Sequence, residues 1–123
     1  MNKALRVADY LSHILQAIER IDRHTAGLEQ IGFLASELIQ DAVIRNLEVI
    51  GEAANNIRRV NPQFAMAHPE IPWSVMYAMR NHLSHGYDQV DLQIVWKTVR
   101  RDLSQLHRLV SAATADGGAT RAQ

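Results

Sequence analysis

The stretch SELIQDAVIRNLEVIGEAANNIRRV, residues 36–60, determines the fold class of this chain. Its apolar residues recur at three- and four-residue steps, the spacing of one face of an α-helix. They are Ile39, Val43, Leu47, Ile50, Ala54 and Ile57. The other side carries polar and charged residues, namely Arg45, Glu48, Glu52, Asn55 and Arg59. Asn61-Pro62 ends the pattern, because a residue before proline disfavours the helical backbone. The sequence predicts a long amphipathic helix from about Ser36 to Val60.

The residues before this stretch also have helical spacing. A first helix is predicted to end around Asp22 to Thr25, and Gly27 marks the break. A short second helix is predicted from Leu28 to Glu37, although Gly32 weakens it. The apolar face of the first helix is formed by Val7, Leu11, Ile14, Leu15, Ile18 and Ile21.

All three prolines fall in one window after the long helix, at positions 62, 69 and 72. We therefore expect a loop or loose turn from Pro62 to Ile71. Pro72-Trp73 opens a fourth helix, since proline suits the first helical turn. Val75, Met76 and Met79 are expected to supply its core contacts.

The last part of the chain predicts one more long helix. Gly86 is placed to cap the end of the fourth helix. A fifth helix runs from about Val90 to Ala112, and Asp91 or Asp88 is expected to cap it. Its buried face is predicted to contain Leu92, Val95, Val99, Leu103, Leu106 and Val110.

These patterns predict an all-α fold in a single domain. The expected architecture is an up-and-down bundle of about four to five helices over residues 1–112. Residues 113–123 are rich in Ala, Gly and Thr, and we expect a disordered tail there. Bundles of this kind are common, so the fold class alone does not identify a function.

Composition narrows the class of protein. Of the 123 residues, 47% are hydrophobic, and 13 basic side chains balance 13 acidic ones, so any RNA-binding surface must be a local patch. The chain has no cysteine, which excludes disulfides and thiolate metal sites. No apolar run approaches the roughly 20 residues that span a bilayer, and the first residues lack the apolar core of a signal peptide. We expect a cytoplasmic protein with no membrane partner.

The stretch RNHLSHGY, residues 80–87, carries the residue types of a candidate catalytic site. Arg80 supplies a permanent positive charge that can hold a phosphate by two hydrogen bonds. The imidazole of His85 can act as a general acid or base. Tyr87 could orient the phosphate or the base. Together these side chains suit phosphodiester cleavage without a metal ion or other cofactor.

Cleavage of this kind needs a base and an acid at the same moment, whereas one copy of the motif offers one suitably placed histidine. A two-fold dimer that brings two motifs together would supply both. The motif is also compatible with a structural role, in which His85 and Gly86 only end a helix and Arg80 pairs with Glu48 or Glu52.

Other polar residues leave further alternatives open. His82 and His85 have a spacing that can bind a metal, with Asp88 as a third ligand, although separate roles for the two histidines are favoured and no metal is predicted. The polar face of the long helix is either solvated or supports the motif. The basic pairs Arg58-Arg59 and Arg100-Arg101 either face RNA or lie at solvated helix ends. Trp73 and Trp96 are expected in the core.

The sequence resembles the HepT-like branch of the HEPN superfamily, formerly grouped as a domain of unknown function. The similarity extends over roughly residues 4–110. It is carried by Asp9-Tyr10-Leu11, residues 14–19 (ILQAIE), residues 40–54 (QDAVIRNLEVIGEAA), residues 69–73 (PEIPW), Arg80-Asn81, His85-Gly86-Tyr87, Val90-Asp91-Leu92 and Ile94-Val95-Trp96.

This resemblance implies a homodimeric helical toxin. Arg80 and His85 would form a metal-independent RNase site across the dimer interface, and Asn81 would support it. The implied substrate is RNA, either tRNA or mRNA, and the implied partner is a minimal nucleotidyltransferase antitoxin. In related pairs that partner transfers AMP from ATP onto the motif tyrosine, which is Tyr87 here. Added phosphate beside His85 would block RNA and repel its backbone.

Two other hypotheses belong to different functional classes. The chain could be a non-catalytic partner of a nucleotidyltransferase, regulating it or modified by it at Tyr87. It could also be a helical nucleotide-binding or scaffolding module in which only the dimer matters. Loss of RNA cleavage in Arg80 or His85 variants separates the RNase from both, and an AMP-sized mass increase at Tyr87 separates the modified partner from the scaffold.

Overall fold

A computed structural model describes residues 2–85 and 90–122 of the chain, with side chains described as far as residue 115. Within these ranges the chain is all-α, as predicted, and contains seven helices. They are α1 (Lys3–Thr25), α2 (Gln30–Leu34), α3 (Glu37–Val60), α4 (Pro62–Ala67), α5 (Trp73–His85), α6 (Leu92–Arg101) and α7 (Leu103–Ala122).

Helix α3 has the bounds that the sequence predicts, and α1 ends where predicted. The Asn2 side chain accepts a hydrogen bond from the backbone N–H of Leu5, which caps α1, and Ser36 caps α3 in the same way through Ile39. After α1 the chain turns at Gly27, whose φ of 76° favours glycine. The polar side chains at these helix starts therefore fix the boundaries of the main elements.

Helix α3 lies at the centre of the bundle. It packs against α1 on one side and α5 on the other, and α7 returns to pack on α1. The face of α3 predicted from its apolar spacing is buried or partly buried, with Val43, Ala54 and Ile57 fully enclosed. Because α3 contacts both α1 and α5, it fixes the position of the predicted motif, which begins on α5.

The short helix α2 is held by an aromatic pair. Phe33 is fully buried, and its ring stacks on Trp96 of α6 with centroids 5.1 Å apart. Trp96 and Trp73 are both buried, so the prediction that the two tryptophans belong to the core is confirmed. Helix α2 is shorter than the predicted Leu28 to Glu37, because Ser36 already caps α3.

The loop predicted from Pro62 to Ile71 is wrong in its first part, where α4 forms. The side chain of Asn61 accepts a hydrogen bond from the backbone N–H of Phe64 at 3.2 Å. Pro62 then occupies the first helical position, where its missing N–H has no consequence. The same Asn61-Pro62 pair that ends α3 thus starts the next helix.

The connection from α4 to α5 is closed by Trp73. Its indole N–H donates to the carbonyl oxygens of Ala65 and His68, both at 3.1 Å. In the same segment the pKa of Glu70 lies below its ordinary value, chiefly because a backbone N–H donates to the carboxylate and also because of His68. The His68 Nδ1 and Glu70 Oε1 atoms are 3.0 Å apart.

The single fifth helix predicted from Val90 to Ala112 is also wrong, because two helices meet at Asp102. The backbone N–H of Asp102 still bonds to the Thr98 carbonyl, and α7 begins at the next residue. Asp91 caps α6 through the backbone N–H groups of Gln93 and Ile94, as predicted. Helix α6 contacts α2 and α7 contacts α1, so the apolar residues on both sides of Asp102 are buried.

The exposure of residues in α5 and α7 differs from the prediction at two positions. Val75 is 66% exposed, so its predicted core contact is wrong, whereas Met76 is buried and Met79 is partly buried against the core, as predicted. Ala113 is 1% exposed, so the packed part of the chain extends at least one residue past the predicted boundary at 112. Disorder of the remaining tail stays a prediction. No helix in the described ranges has the length and apolar character needed to cross a membrane.

Candidate active site

The candidate site begins at a close contact between α3 and α5, at Gly51. A Cβ atom placed on Gly51 would collide with the Cβ of Arg80 and lie 2.6 Å from the Met76 carbonyl oxygen. Gly51 is itself buried in the middle of α3. The absent side chain lets the two helices touch and places Arg80 directly against α3.

Arg80 is held by two polar partners. Its Nε lies 3.2 Å from Oε2 of Glu52, one residue beyond Gly51. Its Nη1 donates to Oδ1 of Asn81 at 2.9 Å. The Arg80 side chain is 29% exposed and that of Glu52 is 50% exposed, so the ion pair lies at the surface and solvent screens it. Two contacts therefore orient the guanidinium while part of it stays accessible.

A second carboxylate of α3 contacts the last turn of α5. The hydroxyl of Ser84 donates to Oε2 of Glu48 at 2.6 Å. Ser84 directly precedes His85, so this bond ties the backbone next to the predicted catalytic histidine to α3. Of the two partners expected for Arg80, Glu52 makes the contact, and Glu48 bonds to Ser84 instead.

His85 is the last residue of α5 and is exposed. In a helix, residues five positions apart are separated by about 7.5 Å along the axis and about 140° around it. Arg80 therefore faces α3, while His85 points to a different side of the helix end. Gly86 and Tyr87, the predicted cap and modification site, lie outside the described residues, so both stay predictions.

A surface cavity of about 340 Å³ opens beside Arg80. Helix α1 contributes Tyr10 and His13 to its wall, and α3 contributes most of the remainder. The α3 residues that line it are Arg45, Glu48, Val49, Glu52, Ala53 and Asn56. The polar face of α3 is therefore not only solvated: part of it lines a concave surface next to the motif.

The other candidate features do not converge on this site. Arg58 donates to Ser74 at 3.0 Å and lies over the Tyr77 ring, so it joins α3 to α5. Arg100 lies over the ring of Trp96. Among the residues that the structure describes, no three His, Asp or Glu side chains come together as metal ligands. Asp88, a candidate ligand, lies outside them.

Sequence reasoning identified Arg80, Asn81 and His85 but missed how they are positioned. Gly51 gave one usable signal, since a glycine inside a long helix lowers helix stability and often marks close packing. The Ser84–Glu48 bond and the cavity gave no such signal, because they join residues far apart in sequence.

Comparison with known proteins shows to which family this chain is similar. The family described as "Ribonuclease HepT-like" matches residues 14–113. A protein of Thermococcus cleftensis named "Probable ribonuclease HepT" is 46% identical over 98 residues, which cover 80% of this chain and 86% of that protein. A "Putative RNase" of Caldanaerobacter subterraneus is 33% identical over 101 residues, covering 82% of this chain and 88% of that protein.

A longer relative shares the same region. A "Gamma-glutamylcyclotransferase and putative RNase" of Methanocaldococcus jannaschii is 38% identical over 106 residues. The match covers 86% of this chain but 46% of that protein, so the similarity applies to part of the longer chain. No solved structure matches this chain.

Proposed function

Because this chain belongs to the HepT-like ribonuclease family, we propose that it is an endoribonuclease that uses Arg80 and His85 without a metal ion. The proposed biological role is that of the toxin in a toxin–antitoxin pair. The substrate is RNA, and the choice between tRNA and mRNA is left to experiment.

One observation carries the proposal: α5 presents an oriented arginine and, at its last residue, an exposed histidine. Glu52 and Asn81 fix the guanidinium beside an open cavity. The Ser84–Glu48 bond fixes the chain next to His85. The Arg80–Glu52 pair is also expected for a purely structural role, so the accessible part of the guanidinium beside the cavity supports the catalytic one.

The chemistry follows from these groups. Arg80 binds the nonbridging oxygens of the scissile phosphate and stabilises the charge that develops on them. A histidine removes the proton from the ribose 2′-hydroxyl, whose oxygen forms a new bond to phosphorus. The bond from phosphorus to the 5′ oxygen breaks, and that oxygen receives a proton. The products carry a 2′,3′-cyclic phosphate and a 5′-hydroxyl.

The reaction uses a base and an acid together, and we assign these roles to His85 of two chains in a homodimer. A two-fold axis near the end of α5 would place both histidines around one phosphate. The accessible position of His85 is compatible with such an arrangement.

The direct test is RNA cleavage in EDTA. Purified protein, confirmed unmodified by mass, is incubated with total cellular RNA beside His85→Ala and Arg80→Ala, and the new ends are mapped. We expect discrete cuts with cyclic phosphate ends, lost in both variants. Cleavage that persists in His85→Ala, or that requires added metal, would contradict the mechanism.

We further propose that a minimal nucleotidyltransferase silences this protein by transferring AMP from ATP to the Tyr87 oxygen, with release of pyrophosphate. The added phosphodiester would place negative charge beside His85 and repel RNA. Intact mass after incubation with the partner and ATP should increase by one or more AMP groups in the wild type but not in Tyr87→Phe. A protein that is modified at Tyr87 but never cleaves RNA would instead support the non-catalytic partner hypothesis.

A further inference from the structure

We propose that the cavity between α1, α3 and α5 binds a nucleotide of the RNA substrate next to the scissile phosphate, with Tyr10 as a stacking surface and Arg45 as a phosphate ligand. The inference rests on the proposed ribonuclease function and deepens it. It adds residues from α1 and the first half of α3, outside the motif on α5.

The cavity combines an apolar floor with an aromatic wall. Val49 and Ala53 of α3 line it, and Ala53 is buried. Tyr10 is half-buried and meets the ring of His13 edge-on, with centroids 6.0 Å apart and an angle of 75° between the planes. A planar base can stack on such a surface while its polar edge faces the cavity rim.

The charges are arranged along the rim. Arg45 is exposed, and in the described part of the chain no ion pair or hydrogen bond engages its guanidinium. Arg80 lies at the α5 edge of the same cavity. Two guanidinium groups at one concave surface match two phosphates of a strand, since each can bind phosphate oxygens by charge-assisted hydrogen bonds.

Two carboxylates of the cavity, Glu48 and Glu52, limit where the phosphates can lie. Glu52 is paired with Arg80, and Glu48 accepts the hydroxyl of Ser84. Both would repel a phosphate placed beside them, so we place the phosphates at the guanidinium groups of Arg45 and Arg80 and the base over Tyr10. Asn56, whose Oδ1 accepts from Arg59 at 2.7 Å, leaves its amide N–H groups to donate to the base.

The size of the cavity suits a nucleotide. Its volume of about 340 Å³ lies within the range of roughly 300–1,000 Å³ found for small-molecule sites. An inorganic anion would not use the aromatic wall, and an apolar ligand would not use the arginines. The ligand class that uses both is a nucleoside phosphate, supplied either by single-stranded RNA or by a free nucleotide.

The test uses Tyr10→Leu, Tyr10→Phe and Arg45→Gln, each with a check of fold by thermal melting. Arg23→Gln is the matched control, because Arg23 is an exposed arginine of α1 that does not line the cavity. Binding of a fluorescent single-stranded RNA is measured by anisotropy in the His85→Ala background. Cleavage kinetics are measured with His85 intact.

We expect Tyr10→Leu to weaken RNA binding by roughly 5- to 150-fold, the effect typical of losing one stacked base. Arg45→Gln, which removes a phosphate contact, should also weaken RNA binding. KM should rise while kcat changes less. Tyr10→Phe, which keeps the ring, should bind RNA more tightly than Tyr10→Leu, and the control Arg23→Gln should behave like the wild type. Unchanged Kd and KM in Tyr10→Leu and Arg45→Gln, with cleavage intact, would overturn the cavity assignment and leave the ribonuclease function standing.

Failure of the cavity assignment can be distinguished from failure of the proposed ribonuclease function. RNA binding that depends on Tyr10 in a protein that never cleaves would support the cavity and contradict the ribonuclease. AMP is the probe for a free nucleotide: Tyr10-dependent binding of AMP without RNA binding would overturn the RNA assignment. If no form of the protein binds RNA, the assignment of the cavity to RNA is also overturned.

Discussion

Arg80 contributes both to the packing of α5 on α3 and to the proposed chemistry. Its Cβ lies in the narrow gap left by Gly51, and its guanidinium reaches Glu52 and Asn81 at the surface. A partly exposed ion pair contributes little to stability, about 0–1 kcal/mol, because solvent screens it. The value of Glu52 is therefore expected to lie in orienting Arg80 and not in holding the fold together.

This argument predicts a separation of kinetic effects in Glu52→Gln. The unfolding free energy should change by less than about 1 kcal/mol. The kcat for RNA cleavage should fall because Arg80 is less well oriented, whereas KM should not rise because the protein has lost a negative charge near the RNA. Thermal melting and steady-state cleavage of one RNA measure both.

Glu19→Gln is a suitable control for Glu52→Gln. Glu19 lies 3.0 Å from His107, also in a partly exposed pair that joins two helices, but it does not line the cavity beside Arg80. It should melt and cleave like the wild type. A large loss of stability in Glu52→Gln with unchanged kcat per folded molecule would show that Glu52 acts only in folding.

At the scale of elements, the contact between α3 and α5 depends on the missing side chain of Gly51. Gly51→Ala would by itself favour the helix by about 1 kcal/mol. The added methyl group, however, would collide with the backbone and Cβ atoms of α5, which cannot move aside like the end of a flexible side chain. We predict a net loss of about 1–3 kcal/mol, seen as a lower midpoint in chemical denaturation, with reduced cleavage.

Gly32→Ala tests the same change where the neighbour can yield. A Cβ on Gly32 would lie 3.0 Å from Cδ2 of Leu28, the end of a flexible side chain. We expect this variant to be neutral or more stable by up to about 1 kcal/mol. Equal stability of the Gly51 and Gly32 variants would mean that α3 and α5 adapt to the methyl group without strain.

Glu70, in the segment between α4 and α5, is expected to make the stability of the fold depend slightly on pH. The pKa of Glu70 is lowered in the folded chain, so its contribution is present above the ordinary value of 4.5 and is lost as pH falls through the folded pKa. In Glu70→Gln the melting temperature should therefore fall less than in the wild type when pH is lowered from about 6 to about 2. Parallel curves would contradict the assignment.

The sequence predicted the elements with strong periodicity and missed those defined by local backbone chemistry. α1 and α3 have long apolar faces and capping residues, so their bounds follow from the chain. The turn at Asp102 has no glycine or proline to mark it. Helix α4 was hidden because Asn61-Pro62 is a stop for α3 and a start for α4 at once. The apolar spacing does not show that Asn61 caps the start of α4 as well as ending α3.

The same distinction applies to the candidate site. Arg80, Asn81 and His85 could be selected because they are close together in sequence and have distinctive chemistry. Tyr10 and Arg45 could not, since only the packing of α1 and α3 brings them to one cavity. In the sequence alone, Tyr10 and Arg45 do not differ from many other partly exposed aromatic and charged residues.

At the scale of the whole molecule, the balance of 13 basic and 13 acidic side chains limits nonspecific attraction to RNA. Affinity must then come from a few placed residues, such as the arginines around the cavity. A dimer would double the number of these contacts on one RNA strand and would bring a second His85. The proposed mechanism therefore requires an intact His85 in both chains of the dimer.

A mixing experiment tests this dependence. Wild-type protein is co-expressed with a ninefold excess of His85→Ala, and pairing of the two forms is verified by native mass spectrometry. Random pairing would leave only about one wild-type chain in ten with a wild-type partner. If both histidines are required, cleavage per wild-type chain should fall about tenfold. If each chain cleaves alone, cleavage per wild-type chain should stay constant.

His24→Ala is the matched control for this mixture, because His24 is an exposed histidine of α1 outside the cavity. An excess of this variant should add activity, since its His85 is intact. Cleavage is measured with RNA in excess over total protein, so that the inactive His85→Ala chains cannot lower activity by competing for substrate. Inhibition by His85→Ala alone would place the acid and the base on different chains. Constant activity with His85→Ala, despite confirmed pairing, would require the second proton carrier to lie within one chain.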